Sequence, residues 1–212
     1  MSNKMQNLLK QAEQQAKSSD PEESSVTCSN RTFSNDSEAE DFFAKLKEKL
    51  LCIKEWNAES VLTSYELFDA SGTVCQRKTA AIGDFIRLSL HGSGKYDWVK
   101  IIAVDDAPDE IVLSVKPSFN PTEKQPKNDV TSHFFTSEAT NNFCVRRKEN
   151  IINFCVIGLN EQTNTEETKN FVETARNFAT ANIGSYFGIQ KAEWKIFCEN
   201  FLETRESENV KE

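Results

Sequence analysis

The chain has 212 residues, which suits one domain of ordinary size. Its formal net charge is −8, and the longest basic grouping is Arg146-Arg147-Lys148. Because nucleic acid binding depends on neutralising phosphates, this charge argues against a nucleic acid partner. No stretch approaches the roughly 20 apolar residues of a membrane span, and no apolar signal segment opens the sequence. We therefore expect no membrane insertion and a cytoplasmic location.

The two ends of the chain are polar, and the sequence between them is predicted to form one domain. Residues 1–25 are predicted to be a flexible segment with a possible short helix, because small and apolar residues recur at helical spacing before a polar run. The single α+β domain is predicted to cover residues 26–204. Residues 205–212 are polar and are predicted to be a flexible tail.

Helical periodicity marks the beginning of this domain. Ser37 and Glu40 have the spacing of a capping box, which favours a helix from about residue 38 to residue 54. Its apolar residues recur every three or four positions, so one face is expected to be buried. These residues are Ala39, Phe42, Phe43, Leu46, Leu50 and Ile53.

Alternating and continuous apolar runs then predict a block of strands. The predicted strands are 61–68, 74–79, 85–90, 96–104, 111–115, 142–147 and 151–158. They follow one another without helical crossovers, so they are expected to pair antiparallel. A turn centred on Glu149 and Asn150 would place Cys144 opposite Cys155.

The last third of the chain is predicted to be helical. One helix is expected at 164–182, and Gly184 and Gly188 interrupt the chain before a second helix that carries Trp194 and Phe197. Together these patterns predict an α+β fold. A mostly antiparallel, curved β-sheet would pack against an N-terminal helix and two C-terminal helices.

Residues with catalytic or metal-binding chemistry form no recognisable set. The six cysteines include no CxxC pair and no neighbouring histidine, so we expect no metal site, and most are expected to be reduced, buried thiols. His133 near Asp129 has the arrangement of a base and its orienting group, but we favour the interpretation of a surface or structural histidine. Cys144 shares a predicted strand face with Arg146, which would favour a reactive thiolate. We predict no catalytic residues and no cofactor.

The start of the predicted domain resembles a known fold family. Residues 36–46 (DSEAEDFFAKL), followed by Lys54-Glu-Trp-Asn57, resemble the opening of START-like helix-grip domains. The resemblance implies a curved antiparallel sheet that grips a C-terminal helix around an apolar small molecule or lipid. The chain departs from this pattern in its two C-terminal helices and in the proline-rich loop at 117–131.

Two binding functions follow from these observations. The first is a non-enzymatic binding or interaction module that engages a partner protein. The alternative is a START-like carrier or pocket protein for a small hydrophobic ligand, since the chain is rich in Phe. If a pocket exists, the residues predicted to bind the ligand are Trp98, His133, Phe135, Phe143 and Trp194.

Overall fold

The computed structural model describes residues 3–18, 24–90, 96–123, 136–162 and 186–203. Three α-helices are described, α1 (Lys4–Ser18), α2 (Asp36–Leu51) and α3 (Tyr186–Leu202), and a 3₁₀ helix covers Ile53–Ala58. The strands are β1 (Ser24–Thr32), β2 (Thr63–Phe68), β3 (Phe85–Leu90), β4 (Tyr96–Ala107), β5 (Glu110–Pro117), β6 (Thr140–Lys148) and β7 (Ile151–Leu159). Among these described helices, none is long and apolar enough to cross a membrane.

The strands form one curved seven-stranded sheet in the order β1-β7-β6-β5-β4-β3-β2. Every neighbouring pair is antiparallel. The predicted α+β fold with an antiparallel curved sheet is therefore confirmed. The second C-terminal helix is also observed, but it begins at Tyr186, so Gly188 lies inside it and does not interrupt the chain before it as predicted. The helix predicted at 164–182 lies outside the described residues.

The inner face of the sheet carries the main core, together with α2 and α3. Alternate residues of the strands point to this face, as Ile111, Leu113 and Val115 do in β5. The apolar face predicted for the first domain helix packs against them, with Phe43, Leu46 and Leu50 buried. Asn35 rather than Ser37 caps that helix, because its side chain accepts a hydrogen bond from the Glu38 amide at 2.9 Å.

The outer face of the sheet is partly covered by α1. Met5, Leu8 and Ala12 are buried in one cluster with side chains of β5, β6 and β7. The segment 1–25, predicted to be flexible, therefore contains a helix that packs on the sheet. Polar contacts hold both of its ends: Glu110 accepts a hydrogen bond from the Lys4 amide at 2.9 Å, and the Gln15 side chain donates to Asn160 at 2.6 Å.

The hairpin of β6 and β7 has the predicted register. Cys144 pairs with Cys155 and Val145 with Phe154, so the predicted turn at Glu149 and Asn150 is confirmed. The strand predicted at 74–79 is wrong, because only Val74 forms a β-bridge. That segment instead turns back to cover the end of β2, where the Cys75 amide donates to the Leu67 carbonyl at 2.8 Å.

One disulfide corrects the expectation that the cysteines are reduced, buried thiols. Cys28 and Cys155 are bonded, with Cα atoms 4.1 Å apart, while Cys52, Cys75, Cys144 and Cys198 are free. The reason lies in β1, which was not predicted as a strand. It pairs with the far side of β7 and places Cys28 directly opposite Cys155.

Candidate functional site

An aromatic cluster fills the space between the inner face of the sheet and α3. Trp56 of the 3₁₀ helix lies 4.6 Å from the ring of Phe143 and 5.5 Å from that of Phe197, measured between centroids. Trp194 lies 5.5 Å from Phe143 and 5.7 Å from Phe197. These are the spacings of packed aromatic pairs. A helix-grip domain would hold its ligand here, and in this chain the described side chains pack against one another.

The five residues predicted to bind a ligand do not form one group. Phe143 and Trp194 are in contact within the aromatic cluster. Trp98 lies on the opposite face of the sheet, where its ring is 4.8 Å from that of Phe68. His133 and Phe135 lie outside the described residues. Strand alternation explains the separation of Trp98, since its neighbour Val99 points into the main core.

A cleft of ≈ 640 Å³ lies at the β2 edge of the sheet, and we call it the edge cleft. Its walls come from the beginning of the 3₁₀ helix, from β2 and β3, and from the segment that follows the turn after β2. The lining residues are Cys52, Ile53, Lys54, Ser64, Tyr65, Glu66, Leu67, Val74, Cys75, Gln76, Arg77, Lys78, Arg87 and Ser89.

Side chains hold the β2 wall of the edge cleft in place. Asn57 accepts a hydrogen bond from the Tyr65 amide at 2.7 Å and donates to the Tyr65 carbonyl at 2.9 Å. Ser60 accepts from the Thr63 amide at 3.0 Å. These bonds satisfy backbone groups that an edge strand would otherwise offer to another chain. They also fix the 3₁₀ helix against β2, so the two walls keep a defined separation.

Cationic side chains outnumber anionic ones in the edge cleft. Four of the lining residues are Lys or Arg, namely Lys54, Arg77, Lys78 and Arg87, and one, Glu66, is acidic. Glu66 forms an ion pair with Arg87. Arg77 binds the buried Asp84 through two hydrogen bonds of 2.7 and 2.8 Å. In the part of the chain that the structure describes, no carboxylate pairs with Lys54 or Lys78.

The buried thiols of Cys52, Cys144 and Cys198 are not activated. Burial, followed by the nearby Glu55, raises the pKa of Cys52. Burial also raises the pKa of Cys198 to about 12. The pKa of Cys144 is raised by burial and by Glu110, so the reactive thiolate considered for Cys144 beside Arg146 does not form in this arrangement. Cys52, Cys144 and Cys198 are therefore protonated at neutral pH.

The described side chains form no metal centre. Among the residues that the structure describes, no three His, Cys, Asp or Glu side chains come together as ligands for a metal ion. The sequence patterns did not predict the edge cleft. Its cations come from three separate segments around residues 54, 77–78 and 87, so no local spacing reveals them.

Comparisons with known proteins found solved structures of similar architecture. No protein-family model and no curated protein matches the chain. Similar solved structures include a hypothetical protein from Helicobacter pylori, with 6% identity, 84% of this chain and 85% of that chain covered, and a TM-score of 0.49. Norcoclaurine synthase from Thalictrum flavum has 12% identity over 86% and 96% of the chains, with a TM-score of 0.37.

The extracellular domain of PknH from Mycobacterium tuberculosis is also similar, with 11% identity and a TM-score of 0.38. The match covers 73% of this chain and 57% of that one. Fold similarity at such low identity carries no information about what this chain binds.

Proposed function

We propose that the protein is a non-enzymatic binding protein for a small organic anion with an apolar portion, and that the ligand occupies the edge cleft. The observation that carries the proposal is the pair Lys54 and Lys78, two ammonium groups without a carboxylate partner among the described residues, in a cleft of ≈ 640 Å³. Small-molecule sites commonly have volumes of about 300–1,000 Å³.

Charge supports an anionic ligand. The whole chain has a net charge of −8, so a cleft with four cations and one carboxylate differs in sign from the molecule as a whole. Arg77 and Arg87 are already held by Asp84 and Glu66. Lys54 and Lys78 are therefore the groups available to a carboxylate, sulfonate or phosphate oxygen.

The rest of the lining supports an apolar portion in the ligand. Val74 is 42% exposed and contributes aliphatic surface, and the methylene chains of Lys54 and Lys78 add to it. A ligand that covers this surface removes it from water, which favours binding by about 25 cal/mol per Å² of apolar area. The proposal keeps the small-ligand function inferred from the sequence but places the site at the sheet edge.

A partner protein is the second candidate. Ile82 and Ile102 are both exposed. The segments that carry them lie side by side, because the Gly83 amide donates to the Ile101 carbonyl at 2.9 Å. Exposed aliphatic groups on adjoining segments are suited to contact with another chain.

The cytoplasmic location stays a prediction, because a disulfide such as Cys28–Cys155 is more typical of oxidising compartments.

The binding proposal is tested by calorimetric titration with decanoate, which has a carboxylate and a flexible apolar chain. We expect saturable binding by the natural protein. Replacing both unpaired lysines in Lys54→Ser/Lys78→Ser should weaken it about ten-fold, since each exposed ion contact contributes up to about 1 kcal/mol.

The matched control is Lys10→Ser/Lys45→Ser, which removes the same charge from two exposed helix positions outside the cleft. It should bind decanoate as the natural chain does. Equal weakening in both double variants would show that net charge alone governs binding. An absence of saturable binding would favour the partner-protein candidate.

A further inference from the structure

Three cysteines lie in one row across three neighbouring strands. Cys28 of β1 is paired with Cys155 of β7, and Cys155 is paired with Cys144 of β6. Directly paired residues point to the same face of a sheet, so all three side chains share the outer face. Cys155 is the central member and is bonded to Cys28, while Cys144 carries a free thiol.

We propose that this row is a thiol–disulfide relay, in which the disulfide moves from Cys28–Cys155 to Cys144–Cys155 and releases the Cys28 thiol at the protein surface. The thiolate of Cys144 attacks Sγ of Cys155, and a Cys144–Cys155 bond forms as the Cys28–Cys155 bond breaks. Cys28 leaves as a thiolate and takes up a proton in place of the one lost by Cys144. No electrons are gained or lost, so no oxidant is needed.

The backbone spacing differs between the two positions of the disulfide. The Cα atoms of Cys28 and Cys155 are 4.1 Å apart, the close spacing of an antiparallel pair without direct hydrogen bonds. A strand residue directs its N–H and C=O to the same side, so those of Cys155 face β6. Its pair with Cys144 is then the wider kind, about 5.5 Å between Cα atoms, which lies within the usual disulfide range.

Exposure differs along the row in the way that the relay requires. Cys144 and Cys155 are 0% and 2% exposed, whereas Cys28 is exposed on the edge strand. The exchange thus converts a buried thiol into an accessible one, able to form a mixed disulfide with another thiol compound.

The helix α1 covers the two buried members of the row. Met5, Leu8 and Ala12 share one apolar cluster with Cys144 and Cys155. Burial under this helix keeps the Cys144 thiol protonated and separated from water. Displacement of α1 would admit water and permit deprotonation. The helix therefore acts as a lid that controls the rate of exchange.

The test is to open the lid and to map the disulfides of the native protein without reductant. Leu8→Ser weakens the apolar face of α1, and Gln11→Ser is the matched control on its exposed face. Each protein is incubated at neutral pH, alkylated with N-ethylmaleimide, acidified and digested with trypsin. The three cysteines fall in different peptides, 18–31, 128–146 and 149–169, so the two disulfides give distinct linked masses.

We expect Leu8→Ser to form the Cys144–Cys155 linkage, with alkylated Cys28, at least ten times faster than Gln11→Ser. Adding Cys144→Ser to Leu8→Ser should abolish both products. The relay is overturned if Leu8→Ser is alkylated at Cys144 while the Cys28–Cys155 linkage stays intact.

A second measurement applies if circular dichroism shows that Leu8→Ser is unfolded. The natural chain is then incubated in urea below its unfolding midpoint, where weakly held elements open ahead of the sheet. The same linked peptides are measured. Transfer of the linkage to Cys144 supports the relay, and alkylation of Cys144 beside an intact Cys28–Cys155 linkage overturns it.

Discussion

Replacing Phe197 with Ala should lower the free energy of unfolding by about 3–5 kcal/mol, the usual cost of deleting a buried aromatic ring. Phe197 of α3 is 0% exposed, and its ring lies 5.5 Å from Trp56 and 5.5 Å from Phe201. Its removal would leave a cavity where the 3₁₀ helix, the sheet and α3 meet, and rigid neighbouring rings cannot refill that space. Urea denaturation at 25 °C measures the loss.

The control for this substitution is Phe119→Ala, which removes the same ring from a residue that is 38% exposed. Phe119 contacts a single described ring, that of Phe85, at 5.8 Å. We expect Phe119→Ala to lower the free energy of unfolding by less than half as much as Phe197→Ala. Equal losses for the two variants would mean that α3 does not pack on the sheet as described.

Reducing the Cys28–Cys155 disulfide should lower the free energy of unfolding by about as much as Phe197→Ala does. The two cysteines are separated by 127 residues, and constraining a loop of that length in the unfolded chain stabilises the fold by about 5 kcal/mol in the chain-entropy model. Addition of a phosphine reductant should therefore lower the denaturation midpoint of the natural protein. Cys144→Ser should respond as the natural protein does.

The matched control is Cys28→Ser/Cys144→Ser, in which Cys155 has no partner in the row, and the reductant should leave its midpoint unchanged. For Cys28→Ser alone, the reductant is expected to lower the denaturation midpoint by an amount between those for the natural protein and for the double variant. Its remaining pair, Cys144 and Cys155, closes a much shorter hairpin loop worth about 3 kcal/mol. If the reductant leaves the denaturation midpoint of the natural protein unchanged, the Cys28–Cys155 disulfide does not form in solution.

Local patterns predicted the parts of the fold that depend on neighbouring residues. The register of β6 and β7 followed from one turn, and Glu149 adopts the left-handed φ of 55° that this turn requires. The helix α2 followed from its apolar periodicity. The strand β1, of sequence SSVTCSNRT, has too few apolar residues to be predicted. It pairs with β7, more than a hundred residues away, and that pairing decides its structure.

The candidate site was less predictable than the fold. The aromatic content correctly indicated a core, and it could not distinguish a filled core from a pocket. Trp98 was grouped with Phe143 because both are apolar, although strand alternation places them on opposite faces. Lys54 and Lys78 line the same cleft from separate segments of the chain, a tertiary relation that no spacing in the sequence encodes.

Chemical-shift mapping by NMR can show directly whether a small organic anion occupies the edge cleft. Decanoate is titrated into ¹⁵N-labelled protein, and the amide shift changes are mapped onto the fold. We expect the largest changes to cluster at residues 52–54, 64–67 and 74–78. Changes centred on Phe143 and Trp194 would instead place the ligand in the aromatic cluster and rule out the edge cleft as its site.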